Sequence, residues 1–277
     1  MASTFVRTAA LRFGGGQPRP AALEHRRKDN WWLSPLLTGL GLGTFVVYAT
    51  WAALQGADYH LGNLLSPFYS PEIWGPSPHA LFGPQPAWLP WPSFMPFSAA
   101  IIVLAIPGNF RLTCYYYRGA YYKAFWSDPV ACGVGEPRDE YRGERWMPLV
   151  LHNVHRYFLY GAIFVWFFLV HDVWKALWFA APGGGEQFGL SVGGLLLAVN
   201  SVLLWLYCTG CHSLRHLMGG HCDEFSKNPV RFGAWHFITS LNKRHQLWAW
   251  CSLCSVGFSD VYVRLCAKGI WHDLRLF

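Results

Sequence analysis

Charged residues are scarce. They make up 13% of the 277 residues, where a soluble domain carries about 25%. With 53% hydrophobic residues, that shortage excludes an ordinary water-soluble domain and points to a membrane protein. Lys and Arg are missing altogether from residues 56–92 and 181–188, and no charge of either sign interrupts the run from Gly189 to Tyr207. The formal net charge of +7 is therefore confined to a few segments, which argues against a nucleic-acid partner. Residues 1–30 contain no apolar stretch before Trp31, so no cleavable signal peptide is expected. Gly14-Gly15-Gly16 stands alone, without the strand and helix of a phosphate loop. No flavin or dinucleotide fingerprint is present either, which excludes a chain that oxidises a soluble substrate by itself. Eight Cys are too few for a disulfide scaffold in a chain of this length.

What is present is a set of long apolar runs. A span needs about 20 apolar residues, and five segments qualify: Leu33 to Leu54, Ser93 to about Tyr117, His152 to about Phe179, Gly189 to about Leu214, and His245 to about Val263. Pro107-Gly108 is expected to kink the second. A polar loop is expected over Gly219 to Arg244, and the Pro- and aromatic-rich residues 56–92 are expected to fold into a small cap. Asp260 and Arg264 have the spacing of an i,i+4 ion pair. Basic residues cluster before the first span (Arg7, Arg12, Arg19, Arg26, Arg27, Lys28), after the second (Arg118, Lys123, Arg138, Arg142, Arg145) and after the fourth (Lys227, Arg231, Lys243, Arg244). The positive-inside rule then predicts a cytoplasmic N-terminus and an external C-terminus. The expected fold is all-α: a flexible segment over residues 1–30, then a five-helix transmembrane bundle over 31–277.

This orientation gathers soft ligands. Cys114 ends the second span, His152 and His155 open the third, Cys208, Cys211, His212 and His216 close the fourth, and His245 opens the fifth. Four helices thus bring Cys and His to one cytoplasmic layer. On one continuous helix, Cys208, Cys211, His212 and Arg215 would spread over roughly a third of the circumference, with His216 further round. One helix therefore offers one or two ligands, not a cage. Cys251-x-x-Cys254 lies deeper, has no nearby His, and reads as packing. Three centres suit the layer. Cys208-Thr-Gly-Cys211-His212 fits the C-x-x-C-H motif of covalent haem, although on the wrong side of the membrane for attachment. Two His on facing helices, such as His155 with His212, His216 or His245, could hold a b-type haem. Two Cys and two His could hold a Rieske-type [2Fe–2S] centre, assembled across helices because the soluble C-x-H and C-x-x-H spacing is absent.

The residues Arg111-Leu-Thr-Cys114-Tyr-Tyr-Tyr-Arg118, Ala131-Cys132, Asn153-x-His155-Arg156-Tyr157-Phe158, Cys211-His212-Ser-x-Arg215-His216 and Asn242-x-Arg244-His245 resemble the membrane-anchor subunit of an actinobacterial class of succinate dehydrogenase. The resemblance runs from about Lys28 to Arg275. It implies a five-helix anchor in the cell (inner) membrane that lacks haem and holds a Rieske-type [2Fe–2S] cluster near a quinone, expected to be menaquinone. It also implies flavoprotein and iron–sulfur partner subunits, and leaves a higher oligomer of the complex open. On this basis Cys114 and Cys211 are expected on one iron and His155 and His216 on the other, with His212 and His245 in reserve. Tyr116, Arg118 and Trp126 are the candidates for quinone contact. The alternatives are a b-type haem subunit, or a purely structural anchor whose Cys and His only pack.

Overall fold

The structure, a computed structural model, describes Asn30 and residues 32–125, 146–147, 149–181, 183–220, 224 and 227–277. Trp126, Cys132, His221 and Cys222 lie outside the described residues. Most of the described chain is helical. Three helices are long and apolar enough to cross a membrane: Leu33–Gln55 (α1), Val150–Ala176 and Val192–Thr209. The second comprises a short 3-10 turn, Leu149–Val154, and α5, His155–Ala176; the third is α6. They coincide with the expected first, third and fourth spans. Many of their large apolar side chains face outward, including Leu37, Leu40, Val46, Val47, Phe164, Phe167 and Val202. In water such surfaces would drive association; against lipid they cost nothing.

The expected second span is broken into α2 (Ala99–Val103), α3 (Ala105–Leu112) and α4 (Tyr115–Phe125). The first break falls at Leu104 and not at Pro107-Gly108. Proline lacks an N–H and its ring crowds the carbonyl four residues back, which here is Val103, the last residue of α2. The second break, Thr113-Cys114, separates α3 from α4. The expected fourth span also stops early. α6 ends at Thr209, Cys211 has extended backbone (φ −67°, ψ 138°), and His212–Gly219 forms a separate helix, α7. Gly210 allows this turn: a Cβ there would lie 2.9 Å from the carbonyl oxygen of Leu206. Asn242 holds the turn by donating from Nδ2 to the carbonyl of Gly210 at 2.8 Å.

The expected polar loop is in fact helical over Pro229–Asn242 (α8). Pro229 takes the first helical position, where its missing N–H costs nothing, and Asn228 caps the end by accepting from the N–H of Arg231 at 3.1 Å. α9, His245–Ala267, closes the bundle and packs against α6, which in turn packs against α5.

At the end opposite the Cys and His, residues 56–98 fold as a cap. It contains a hairpin of β1 (His60–Leu61) and β2 (Leu64–Leu65) and a 3-10 turn, Pro67–Tyr69. A second hairpin, β3 (Trp178–Ala180) with β4 (Glu186–Phe188), follows α5. Gly56 ends α1 with φ 62°, a conformation that excludes most side chains, and a Cβ there would meet the carbonyl of Phe97 at 2.8 Å. The expected Asp260–Arg264 pair is present at 2.7 Å and is buried. Tyr48 and Ser66 also donate to Asp260, while Arg264 donates to the carbonyls of Ala57 and Ala52 at 2.8 and 2.9 Å. One ion pair therefore ties the cap to α1 and α9, and hydrogen bonds to nearly every charged atom offset its desolvation.

Candidate metal centre

The helix breaks explain where the soft ligands meet. Cys114 sits in the turn between α3 and α4, His155 is the first residue of α5, Cys211 occupies the turn between α6 and α7, and His245 is the first residue of α9. The Nε2 of His155 lies 3.2 Å from the Sγ of Cys211, and the Nε2 of His245 lies 3.5 Å from the Sγ of Cys114. Cys114, His155 and Cys211 are buried, and His245 is half-buried. Both thiols belong to one packed core with Phe110, Tyr117, Tyr207, Cys208, Ala249 and Leu253.

Each imidazole is held by its surroundings. The hydroxyl of Thr113 donates to the carbonyl of Asn109 at 2.7 Å, so its oxygen is left to accept from the Nδ1–H of His155 at 2.9 Å. That contact places the ring proton on Nδ1 and leaves the Nε2 lone pair facing Cys211, the tautomer a metal ligand needs. The ring also lies flat on Phe110, with centroids 4.6 Å apart. His152 donates from Nδ1 to the carbonyl of Thr113 at 2.8 Å, which anchors the same turn. The ring of His245 stacks on Tyr207 with centroids 5.0 Å apart, and its Nδ1 is buried without a hydrogen-bond partner among the described residues. Cys211 is buried in this apolar core, an environment that disfavours a bare thiolate. A thiolate at this place therefore calls for a positive partner.

The structure does not bring all the expected residues together. His212 and His216 lie on α7 and contact each other, Nε2 to Nε2 at 2.9 Å, at an exposed position. The turn at Gly210-Cys211 swings α7 out of line with α6, so the helical spacing from Cys211 to His216 does not hold. His245, a reserve ligand in the sequence reading, takes the buried place instead. Tyr116 accepts at its hydroxyl from the Nε1–H of Trp250 at 2.7 Å. Arg118 lies over the ring of Tyr115 at 4.1 Å, and its Nη1 is buried without a partner among the described residues. Thr113, Tyr207 and Arg111 were not singled out as site residues. For Thr113 a signal existed, a hydroxyl directly before Cys114; for Tyr207 only its place at the end of an apolar run.

The donor set suits an iron–sulfur centre better than a haem or a single ion. Among the described residues no three Cys, His, Asp or Glu converge on one metal position. The four donors instead meet as two neighbouring Cys–His contacts, two thiols and two imidazoles in all, which is the ligand count of a two-iron centre with both thiols on one iron and both imidazoles on the other. The two imidazoles each face a sulfur, and each has a ring face covered, by Phe110 and Tyr207 respectively. That is not the arrangement of two axial ligands across a porphyrin.

Residues 33–269 match the model of the actinobacterial succinate dehydrogenase subunit SdhC family. The chain belongs to that family. It is therefore a membrane subunit of succinate dehydrogenase, and it does not carry the dehydrogenase chemistry alone. Among solved structures it is similar to a chain of the Mycobacterium smegmatis Sdh1 complex in the apo form, with 42% identity and a TM-score of 0.81 over 94% of this chain and 98% of that one. No curated protein sequence matches. The matched region of this SdhC-family subunit contains all four donors.

Proposed function

We propose that this subunit anchors succinate dehydrogenase in the cell membrane and passes electrons from an iron–sulfur partner subunit, itself served by a flavoprotein subunit, to a membrane quinone such as menaquinone. The observation that carries this reading is the meeting of Cys114, Cys211, His155 and His245 from four helix ends as two Cys–His contacts. A Rieske-type [2Fe–2S] cluster bound by these four residues would supply one-electron transfer. Thr113 and Phe110 hold His155 in the ligating tautomer and orientation, Tyr207 holds His245, and the surrounding core keeps water out. His245 replaces His216 in this ligand set.

The proposed topology has five spans, with the broken α2–α4 and the more polar α9 as the second and fifth. The N-terminus and the Cys–His layer lie on the cytoplasmic side. The support is the distribution of Lys and Arg, absent from residues 56–92 and 181–188. For the quinone, an apolar cavity of 630 Å³ runs beside α1, α2, α3 and α5; Phe45, Ala49, Leu104, Pro107, Val256 and Arg111 are among its lining residues. Its size and its single charged wall suit a quinone. Tyr116 and Arg118 remain candidates for contact with a head group near the α3–α4 turn.

Iron and acid-labile sulfide in the purified complex, read with its visible spectrum, test the assignment. Two iron and two sulfide beyond the partner subunits' own clusters, with broad absorbance, are expected. A Soret band would establish the b-type haem instead. No excess iron and no Soret band would leave a purely structural anchor.

A further inference from the structure

Arg111 is a charged residue to which the described residues offer no counter-ion. Its Nη1 donates to the hydroxyl of Tyr117 at 2.9 Å and to the carbonyl of Ala249 at 3.2 Å, and its Nη2 donates to the hydroxyl of Ser252 at 2.9 Å. The guanidinium lies over the ring of Tyr207, 4.6 Å from its centroid, and Tyr207 is the ring on which His245 stacks. Every one of these partners is neutral, and no carboxylate among the described residues pairs with it. Arg264, which is buried, does have one: Asp260 at 2.7 Å. A cation held at membrane depth without an anion is costly unless a negative charge is supplied nearby. Through Tyr207, Arg111 borders the packed core that holds Cys114 and Cys211. The same side chain lines the apolar cavity on its other side.

We propose that Arg111 is the electrostatic positioning residue of this centre: its fixed positive charge, held by Tyr117, Ala249 and Ser252, favours the reduced state and raises the reduction potential. This rests on the proposed cluster. The charge balance is simple. Two ferric irons and two sulfides carry +2, and two thiolates bring the total to zero with neutral imidazoles. One electron from the partner's iron–sulfur chain, with no bond made or broken, brings it to −1. The Arg111 guanidinium makes no hydrogen bond to a ligand side chain among the described residues, although the Arg111 carbonyl accepts from the N–H of Cys114 at 3.1 Å; the charge acts through the field, across Tyr207 and in a medium where charges are weakly screened. A neighbouring cation therefore shifts the equilibrium toward the form with the added electron.

Potentiometric titration monitored by EPR on the intact complex tests this. Arg111→Met, which keeps the length and loses the charge, is expected to shift the reduction equilibrium against the reduced form by tenfold or more, about 59 mV for one electron. Arg111→Lys, which keeps the charge, is expected to shift it by less than threefold. If Arg111→Met does not load iron, Ser252→Asp serves instead: it sets a carboxylate against Nη2, neutralises the guanidinium, and should lower the potential likewise. An unchanged potential in the neutralised variant, with the signal intact, overturns the proposal and leaves Arg111 as a packing residue, visible only in thermal stability. Absence of the membrane-cluster signal in the wild-type complex would overturn the cluster reading instead, so the two failures are distinct.

Discussion

The Nε2 of His155, at the first residue of α5, lies 3.2 Å from the Sγ of Cys211 in the turn after α6. The contact joins residues 56 positions apart, and each is buried. Neither residue is at liberty to move. Thr113 fixes the far side of the imidazole, while Gly210 and Asn242 fix the turn that carries the thiol. A neutral S–H and an imidazole nitrogen gain little from each other; in the proposed reading both serve as ligands of one cluster.

The ligand set predicts a division among variants. Cys211→Ser and His245→Ala should each abolish the membrane-cluster EPR signal and quinone reduction, because a serine oxygen or a missing imidazole is a poor substitute at a soft site. Succinate oxidation with an artificial acceptor should persist in the partner subunits. His216→Ala and Cys208→Ser should keep the signal. If His216→Ala loses it and His245→Ala keeps it, the assignment moves to α7.

Topology is open to a direct check. A reporter fused after Phe277 should be active outside the cytoplasm, and one inserted in residues 119–146 should be active inside. A cytoplasmic C-terminus contradicts the five-span arrangement.

The buried ion pair predicts a contrast in stability. Asp260→Ala leaves Arg264 charged and unpaired in a dry environment, which costs about 3–5 kcal/mol. Asp58→Ala breaks a pair with Lys268 that is 3.7 Å long and whose side chains are 42% and 44% exposed; such pairs are worth about 0–1 kcal/mol. Thermal unfolding of the purified complex should show a marked loss for the first and almost none for the second.

Much of this could be read from the chain, because the relevant signals are local. Uninterrupted apolar runs located α1, α5 and α6, and the i,i+4 spacing located Asp260 and Arg264. The polar stretch after α7 was misread because α8 carries an ordinary cap, Asn228-Pro229, ahead of a pattern that is only partly apolar. One expected site residue, His216, lies apart from the others for a physical reason. Counting helical positions from Cys208 to His216 assumes an unbroken helix, and one glycine followed by one extended residue is enough to undo it. Pro107 displaced its break upstream in the same way, through the carbonyl it crowds. Long-range meetings such as Cys114 with His245 have no local signature at all; only the shared depth of the helix ends pointed to them. Arg111 was legible as a charge near a span end, but its lack of a carboxylate partner among the described residues appears only once the helices are packed.

The most direct test of the central claim is pulsed EPR on the reduced, intact complex, selecting the cluster signal of the membrane subunit. Imidazole ligation predicts hyperfine coupling to two nitrogens, with one coupling lost on replacing His155 by Cys and the other on replacing His245 by Cys. A reduced complex that shows only the all-cysteine signals of its partner iron–sulfur subunit, with no strongly coupled nitrogen, would contradict the account.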